Sequence, residues 1–391
     1  MHRRAFEAGT ARLQDFDAAR ALEARPPLLE EQLTAAPAEG EHFNKMFACA
    51  WTSSHEVLAG TKDNKLLRYT LGRDFRVLRR EVLQIRDGVP ERPKENERGG
   101  LHALVLNKPF GGNQLACGSN DPSDVVVMDS EALVPQLLLK GNADWMFSCC
   151  WIGRDRLLSC SKDTTVRLWS TAENSYALRN TESRRSPDPA LRERFPEVTR
   201  DRCQGGHTAR VREIKYNQFT QRVVSLSTDA NVKIWDGANL DVVSDIVLPL
   251  PARDLVALAL DEMGSDAIAV GGRSEITFLD ERTGGVQRRL QSVPNNGSGV
   301  RSLAFRGNLL SVGCGGGLLL LYDTRKEGSY LARLQLGAGH VRQGEQLVAT
   351  HNATKHAAYA QAWDPSGAAL LVCGGPLQVG VSGSYLGLWR L

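Results

Sequence analysis

Apolar residues in this chain fall into short runs separated by Gly, Asp, Asn and Ser, and one pattern of runs repeats. MFACAW at 46–51 returns as MFSCCW at 146–151. Downstream, LAGTKDNKLLRY ends at Tyr69 and LSCSKDTTVRLW ends at Trp169, so Lys62 matches Lys162 and Asp63 matches Asp163 at a constant offset of 100 residues. A third copy, VREIKYN followed by VVSLSTDANVKIW, ends at Trp235, and in all three an Asp stands six residues before the terminal aromatic. Each copy reads as apolar strand, turn, apolar strand, tight turn and a strand ending in an aromatic, with an outer strand such as DVVSDIVL behind it. Runs this short, bounded by turn residues, are strands and not helices.

Degenerate copies extend the series. Third strands end at KLLRYTL, DVVVMDS, TVRLWS, VKIWDG, ITFLDERTG, LLLLYDTR and YLGLWRL, which makes seven. Where inserts are short the spacing is roughly the 40–45 residues of a propeller blade. The expected fold is therefore all-β, a seven-bladed WD-repeat β-propeller. In the third copy His207, Ser225, Asp229 and Trp235 are placed to form the buried hydrogen-bonded chain that pins such a blade, and the turn Asp is placed to accept backbone amides. Polar inserts near 74–100, 171–205 and 326–356 read as surface loops. The seventh blade lacks an outer strand at the C-terminal end, and an open sheet edge is unstable. A segment within 27–42, with LLEEQL the first choice, is expected to close it. Residues 3–25 form a helix-permissive run ended by Pro26-Pro27. The domain reading is thus a short helical extension at 1–26, suited to docking on a partner, and the propeller at 27–391.

Composition changes this picture little. Net charge is +3, with 48 basic and 45 acidic residues, so bulk basicity does not argue for nucleic acid. The eight cysteines form no CxxC pair and mostly lie in strand-like runs, as small buried hydrophobes in a reducing compartment do. No apolar run reaches the roughly 18 residues of a membrane helix, and the N-terminus lacks the apolar core of a signal peptide. Cytoplasm and nucleus are the expected locations. GCGGG at 313–317 leads into a strand, so it lacks the helix N-terminus that backs a phosphate loop. There is no HExxH, no GxSxG and no zinc spacing. No enzyme activity, cofactor or metal is expected.

Charge matters where it is concentrated. In a propeller, the starts of the inner strands and the turns between second and third strands ring one mouth of the central channel. The first slot holds Lys45, His102, Trp145, Arg212, Asp254, Arg301 and Tyr359; the second holds Lys62, Asn120, Lys162, Thr228, Arg273 and Gly315. Arg210 neighbours Arg212. Six of these are Lys or Arg and Asp254 alone is acidic, in a chain that is nearly balanced overall. Such a ring suits an anionic ligand, whose carboxylates relieve the repulsion among the cations. Beyond Trp145 and Tyr359 the mouth offers no obvious stacking aromatics, which disfavours a single-stranded nucleic acid. Two alternatives stand beside a carboxylate receptor: a general WD-repeat scaffold that binds an acidic or phosphorylated partner, and a phosphate or nucleic-acid reader.

FNKMFACAW, LAGTKDN, GGLHAL, ADWMFSCCWI, RVREIKYN, SGVRSLAF, VGCGGGLLLLYDTR and CGGPLQVGVSGSYLGLW stand in the order, and close to the wording, of the DDB-one- and cullin-four-associated factor twelve family, which the chain resembles from about Ala21 to Leu391. The resemblance implies a WD-repeat substrate receptor of the cullin-four RING ubiquitin ligase that captures protein C-termini ending in two glutamates. Carried over residue by residue, it implies a pocket of Lys45, Lys62, Lys162, Arg210, Arg212 and Arg301. Lys162 stands where the family has Arg and Arg210 where it has Lys, which keeps the charge but alters the fork geometry. It also implies that the DDB-one adaptor is held on the opposite face by Asp-x-Arg boxes, here Asp280 and Arg282 in LDER and Asp323 and Arg325 in YDTR, with Arg325 the first choice. The N-terminal helix would add to that docking, although this N-terminus is shorter than the family's.

Overall fold

The computed structural model describes residues 29–32, 43–85, 99–119, 123–172, 192–194, 197–200, 206–249, 255–261, 267–290, 299–326, 328, 330–337, 341–343, 346–348, 356–377 and 383–390. Seven antiparallel sheets are arranged as blades. Blade 1 is Met46–Ser53, Glu56–Thr61, Lys65–Leu71 and Val77–Gln84; blade 2 is Leu101–Leu106, Gln114–Ser119, Val125–Asp129 and Pro135–Leu139. Blade 3 is Met146–Trp151, Arg156–Ser161, Val166–Ser170 and Val198–Arg200; blade 4 is Val211–Asn217, Arg222–Ser227, Asn231–Asp236 and Val242–Val247. Blade 5 is Ala257–Leu260, Ala267–Gly271, Ile276–Asp280 and Gly285–Leu290; blade 6 is Val300–Arg306, Leu309–Cys314, Leu318–Asp323 and Ala332–Gln335.

Blade 7 has three consecutive strands, His356–Trp363, Ala369–Pro376 and Tyr385–Arg390, and takes its fourth from Leu29–Gln32. That strand runs antiparallel to the last one, with Leu29 opposite Arg390 and Gln32 opposite Gly387. The LLEEQL segment therefore closes the edge as the sequence predicts. The helix expected within 1–26 lies outside the described residues, as does the border with the propeller.

Each junction between neighbouring blades holds its own apolar cluster, and seven clusters serve seven junctions. The terminal aromatics Tyr69, Trp169 and Trp235 are fully buried in them. The ring closes where Trp51 of blade 1 donates its indole N–H to Ala362 O of blade 7 at 3.0 Å.

The repeated Asp does what its position requires. Asp229 Oδ2 accepts Thr208 N at 2.9 Å and Oδ1 accepts Asn231 N at 3.0 Å, tying the entry to the inner strand to the tight turn. Asp163 repeats this on Ala143 N and Thr165 N, and Asp63 accepts Asn44 N. In blade 4 the chain of polar groups is complete. His207 meets Asp229 Oδ2 at 3.1 Å and Ser225 Oγ at 2.7 Å, and Trp235 Nε1 donates to Ser225 Oγ at 2.8 Å.

Cationic side chains link blades at the face where the third strands end. Arg156 reaches Ala238 O, Arg222 reaches Glu281 O, Arg306 reaches Ser366 O, and Arg390 reaches Asp74 O, each bond leading from one blade to the next.

The inserts correct the expectation of plain loops. Val77–Gln84, Val198–Arg200 and Ala332–Gln335 supply the outer strands of blades 1, 3 and 6. Arg192–Arg194 adds a parallel fifth strand to blade 2, and Val341–Gln343 pairs with Gln346–Val348 as a small hairpin. In residues 77–83 and Ala332–Gln335 exposed positions interrupt the partly buried ones, so these sequences lack the continuous apolar run of an inner strand.

Candidate functional site

The inner strand of a blade starts, and the second strand ends, at one face. The backbone records this directly. Lys62 N donates to Lys45 O, Lys162 N to Trp145 O, Thr228 N to Arg210 O and Gly315 N to Gly299 O. Lys45, Lys62, Lys162 and Arg210 thus belong to one level, the rim.

Two residues further on, six inner strands carry a β-bulge. The register skips a residue between Met46 and Ala48, Leu101 and Ala103, Met146 and Ser148, Val211 and Glu213, Val300 and Ser302, and Ala358 and Ala360. The skipped residues are Phe47, His102, Phe147, Arg212, Arg301 and Tyr359. A bulge re-aims its extra side chain, and here all six line a cavity of about 260 Å³ on the axis, with Val256 of blade 5 completing the ring. This is the neck.

The single slot expected at the inner-strand starts therefore splits in two. Arg212, Arg301, His102 and Tyr359 are neck residues. Lys45 and Trp145 sit two residues earlier on the rim, and Asp254 lies outside the described residues. Sequence reasoning missed Phe47 and Phe147 because it placed the channel at Lys45 and Trp145. The available signal was the repeated Met-Phe pair, whose buried first member marks the residue before the bulge.

The neck has two halves. Blades 7, 1 and 2 and their neighbour blade 3 contribute rings: Tyr359 packs edge-on to Phe47 at 5.2 Å, Phe47 stacks on His102 at 4.3 Å, and His102 meets Phe147 edge-on at 6.1 Å. On the rim, Trp145 packs edge-on to Phe147 at 6.4 Å. These rings correct the expectation that stacking aromatics are confined to Trp145 and Tyr359. The other half is cationic, with Arg212 of blade 4 and Arg301 of blade 6. The Arg212 guanidinium lies 4.0 Å over the Phe147 ring, and its buried Nε–H has no acceptor among the described residues. Burial pushes this guanidinium down to about 10, with Arg301 and Arg210 adding repulsion against the pull of Glu213, so it stays charged near neutrality. Burial, helped by Arg212, pushes the His102 imidazole down to about 3, so the aromatic half is neutral.

The rim cations differ among themselves. Lys45 is 8% exposed, and its ammonium is shifted down by burial and then by the charge of Lys62 beside it. Gly375 of blade 7 makes room for it, since a Cβ there would lie 3.0 Å from Lys45 Cα and Cγ. Arg210 is exposed. Lys162 is partly spent: its Nζ binds Asp144 Oδ2 at 2.7 Å and lies 4.6 Å over the Trp145 ring. Burial raises the Asp144 carboxyl, but the hydrogen bonds from Lys162 and Trp145 N, and the charges of Lys162 and Arg210, outweigh it and hold the carboxyl low. In blade 1 the equivalent residue is Asn44, which brings no counter-charge to Lys62. The structure thus joins Arg210, Arg212 and Arg301 on one side and Lys45 with Lys62 on another, with Lys162 between them and partly neutralised.

The Asp-x-Arg boxes lie at the ends of third strands, on the opposite face. Asp323 is buried and holds Arg325 two-pronged, Nε to Oδ1 at 2.9 Å and Nη2 to Oδ2 at 2.7 Å, leaving the Arg325 side chain 43% exposed. Asp280 accepts Arg282 N at 2.8 Å and Thr283 N at 3.1 Å, and the Arg282 side chain is 79% exposed with its Nη2 3.9 Å from Asp280. Both acids shape their own turns first.

The frame that carries these residues, from the closing strand at Leu29 to the last strand at Arg390, coincides with a known one: the DDB1- and CUL4-associated factor 12 beta propeller family matches residues 29–390. With the match spanning all seven blades and the strand that shuts the ring, this chain belongs to the DDB1- and CUL4-associated factor 12 beta-propeller family.

Proposed function

We propose that this chain is a non-catalytic substrate receptor of a cullin-four RING ubiquitin ligase, and that its neck and rim bind acidic protein C-termini of the Glu-Glu type. Membership of a family named for its association with DDB1 and CUL4 supports the receptor role. The observation that carries the ligand class is Arg212: a charged group in the neck whose buried Nε–H lacks an acceptor among the described residues, next to Arg301 and Arg210. An unsatisfied buried donor is costly, and a carboxylate satisfies it by a charge-assisted bond. In this reading Arg212 and Arg301 hold the terminal carboxylate, while Lys45, Lys62 and Arg210, with Lys162 where Asp144 permits, receive the glutamate side chains. The DDB1 adaptor is assigned to the opposite face, with Arg282 and Arg325 as contacts and the 1–26 segment as an addition. Cytoplasm and nucleus are the proposed locations, with which seven buried cysteines free of disulfides are compatible.

The test is binding of a fluorescein-labelled dodecapeptide ending in Glu-Glu. The double variant Arg212→Glu/Arg301→Glu should abolish binding, amidation of the peptide should weaken it by about tenfold or more, and excess polynucleotide should not displace it. Unchanged affinity in the double variant and for the amide would refute the ligand class. Recovery of DDB1 with the full chain, and its loss in Arg282→Ala/Arg325→Ala, checks the adaptor face.

A further inference from the structure

Beneath the neck, the inner strands present a second level to the same cavity: Ser148, Glu213, Ser302 and Gln361, with Lys215 below. Among the described residues lining the cavity, Glu213 is the one acid. The hydrogen-bond donors of this level are already used. Ser148 Oγ donates to Glu213 Oε1 at 2.7 Å, and Ser302 Oγ donates to Ala358 O at 2.8 Å. Gln361 Nε2 donates to Ser302 O at 3.1 Å and Ser302 Oγ at 2.8 Å. The Lys215 ammonium lies 3.1 Å from Glu213 Oε1. What is left is acceptor character: the Glu213 carboxylate, and Gln361 Oε1, which is buried and has no donor among the described residues. The neck offers the Arg212 and Arg301 guanidiniums, with Arg212 Nε–H lacking an acceptor among the described residues, whereas the floor offers acceptors with its donors consumed.

From this we infer that Glu213 is a specificity-determining residue that sets how deep an acidic chain can enter, so that the site reads a chain end and rejects the same acidic sequence carried further along a chain. The inference rests on the proposed function. A carboxylate at the level of Arg212 and Arg301 gains two cations; one residue-length deeper it faces the Glu213 carboxylate, partly offset by Lys215, and the Gln361 carbonyl oxygen, both of which disfavour it. A tail ending in Glu-Glu places its terminal carboxylate in the neck. A tail ending in Glu-Glu-Gly-Gly can keep its glutamates on the rim and neck only by pushing that carboxylate onto the floor. Replacing Glu213 with Gln removes the like charge, supplies an amide donor and leaves the Lys215 ammonium without its carboxylate.

The experiment compares Kd for two labelled peptides, ending in Glu-Glu and in Glu-Glu-Gly-Gly, on the full chain by fluorescence anisotropy. Wild type should prefer the first by about tenfold or more, and Glu213→Gln should reduce that preference to about threefold or less. Lys215→Gln, which strips Glu213 of its counter-charge, should widen it; this second variant moves the ratio in the opposite direction and is read independently. A preference unchanged in both folded variants, with Glu-Glu still bound by wild type, overturns the depth role and leaves the proposed function standing. Failure of wild type to bind either peptide overturns both.

Discussion

Asp144 partly neutralises Lys162 on the rim, and the copy in blade 1 shows how to remove that counter-charge. Asn44 occupies the matching position there and still accepts the next backbone amide, Lys45 N, at 2.8 Å, as Asp144 does with Trp145 N at 2.8 Å. Asp144→Asn therefore keeps the local turn and removes one negative charge 2.7 Å from Lys162 Nζ, while the Trp145 ring keeps the ammonium where it is. The pair is about one-third exposed, 26% at Lys162 and 35% at Asp144, so solvent screens it and its loss should cost about 1 kcal/mol of stability or less. For binding the sign is opposite. One unit charge released at about 7 Å from a ligand carboxylate, in an effective dielectric of about 40, contributes about 1.2 kcal/mol. That corresponds to a Kd about five- to tenfold tighter. Fluorescence anisotropy with the Glu-Glu peptide should show the gain at about 0.05 M salt and lose most of it at about 0.5 M, where the Debye length falls to a few ångströms. A folded variant with unchanged or weaker affinity at low salt would refute the assignment of Lys162 to the ligand's field.

Two further outcomes concern stability. Ser225→Ala leaves the buried His207 ring nitrogen and the Trp235 N–H without their shared partner; urea denaturation should show a loss of about 3 kcal/mol, and a loss under about 1 kcal/mol would mean the chain of polar groups does not pin blade 4. His102, held at about 3 when folded, takes up a proton near 6.5 when unfolded. The unfolded state thus binds the extra proton between those values, so His102 makes stability rise with pH through this window and fall as pH drops below about 6.5. His102→Phe retains a ring to stack on Phe47 and deletes this titration, so its urea midpoint should fall less between pH 7.5 and pH 5 than that of wild type; parallel losses would show that the imidazole does not titrate as its surroundings require.

Much of the fold is legible locally. The third strands, the clasp made by Asp63, Asp163 and Asp229, the His207–Ser225–Trp235 chain and the strand that closes blade 7 all follow from alternation, turn chemistry and the need to cover an edge. The site is legible in its charge and not in its layout. Arg212 and Lys45 look equivalent in the repeat, yet one lines the neck and the other the rim, because a bulge adds one residue in six inner strands, and the Met-Phe pair that accompanies it in two of them takes its meaning only from the strand register. Phe47 and Phe147 read as ordinary core residues for the same reason. Lys162 and Asp144 stand 18 residues apart in sequence, and their contact depends on two turns meeting at one face. Arg325 likewise reads as an adaptor contact from its box, whereas its first partner is Asp323.

The sequence alone determined the number of blades, the closure of the ring and the excess of cations at one mouth, since each is set by neighbours along the chain or by a repeat that copies them. The tertiary structure alone decided which cations share a level, which are already neutralised and where an acceptor-lined floor lies beneath them. Those properties arise between blades, from side chains far apart in sequence whose approach is fixed by ring closure and bulge register.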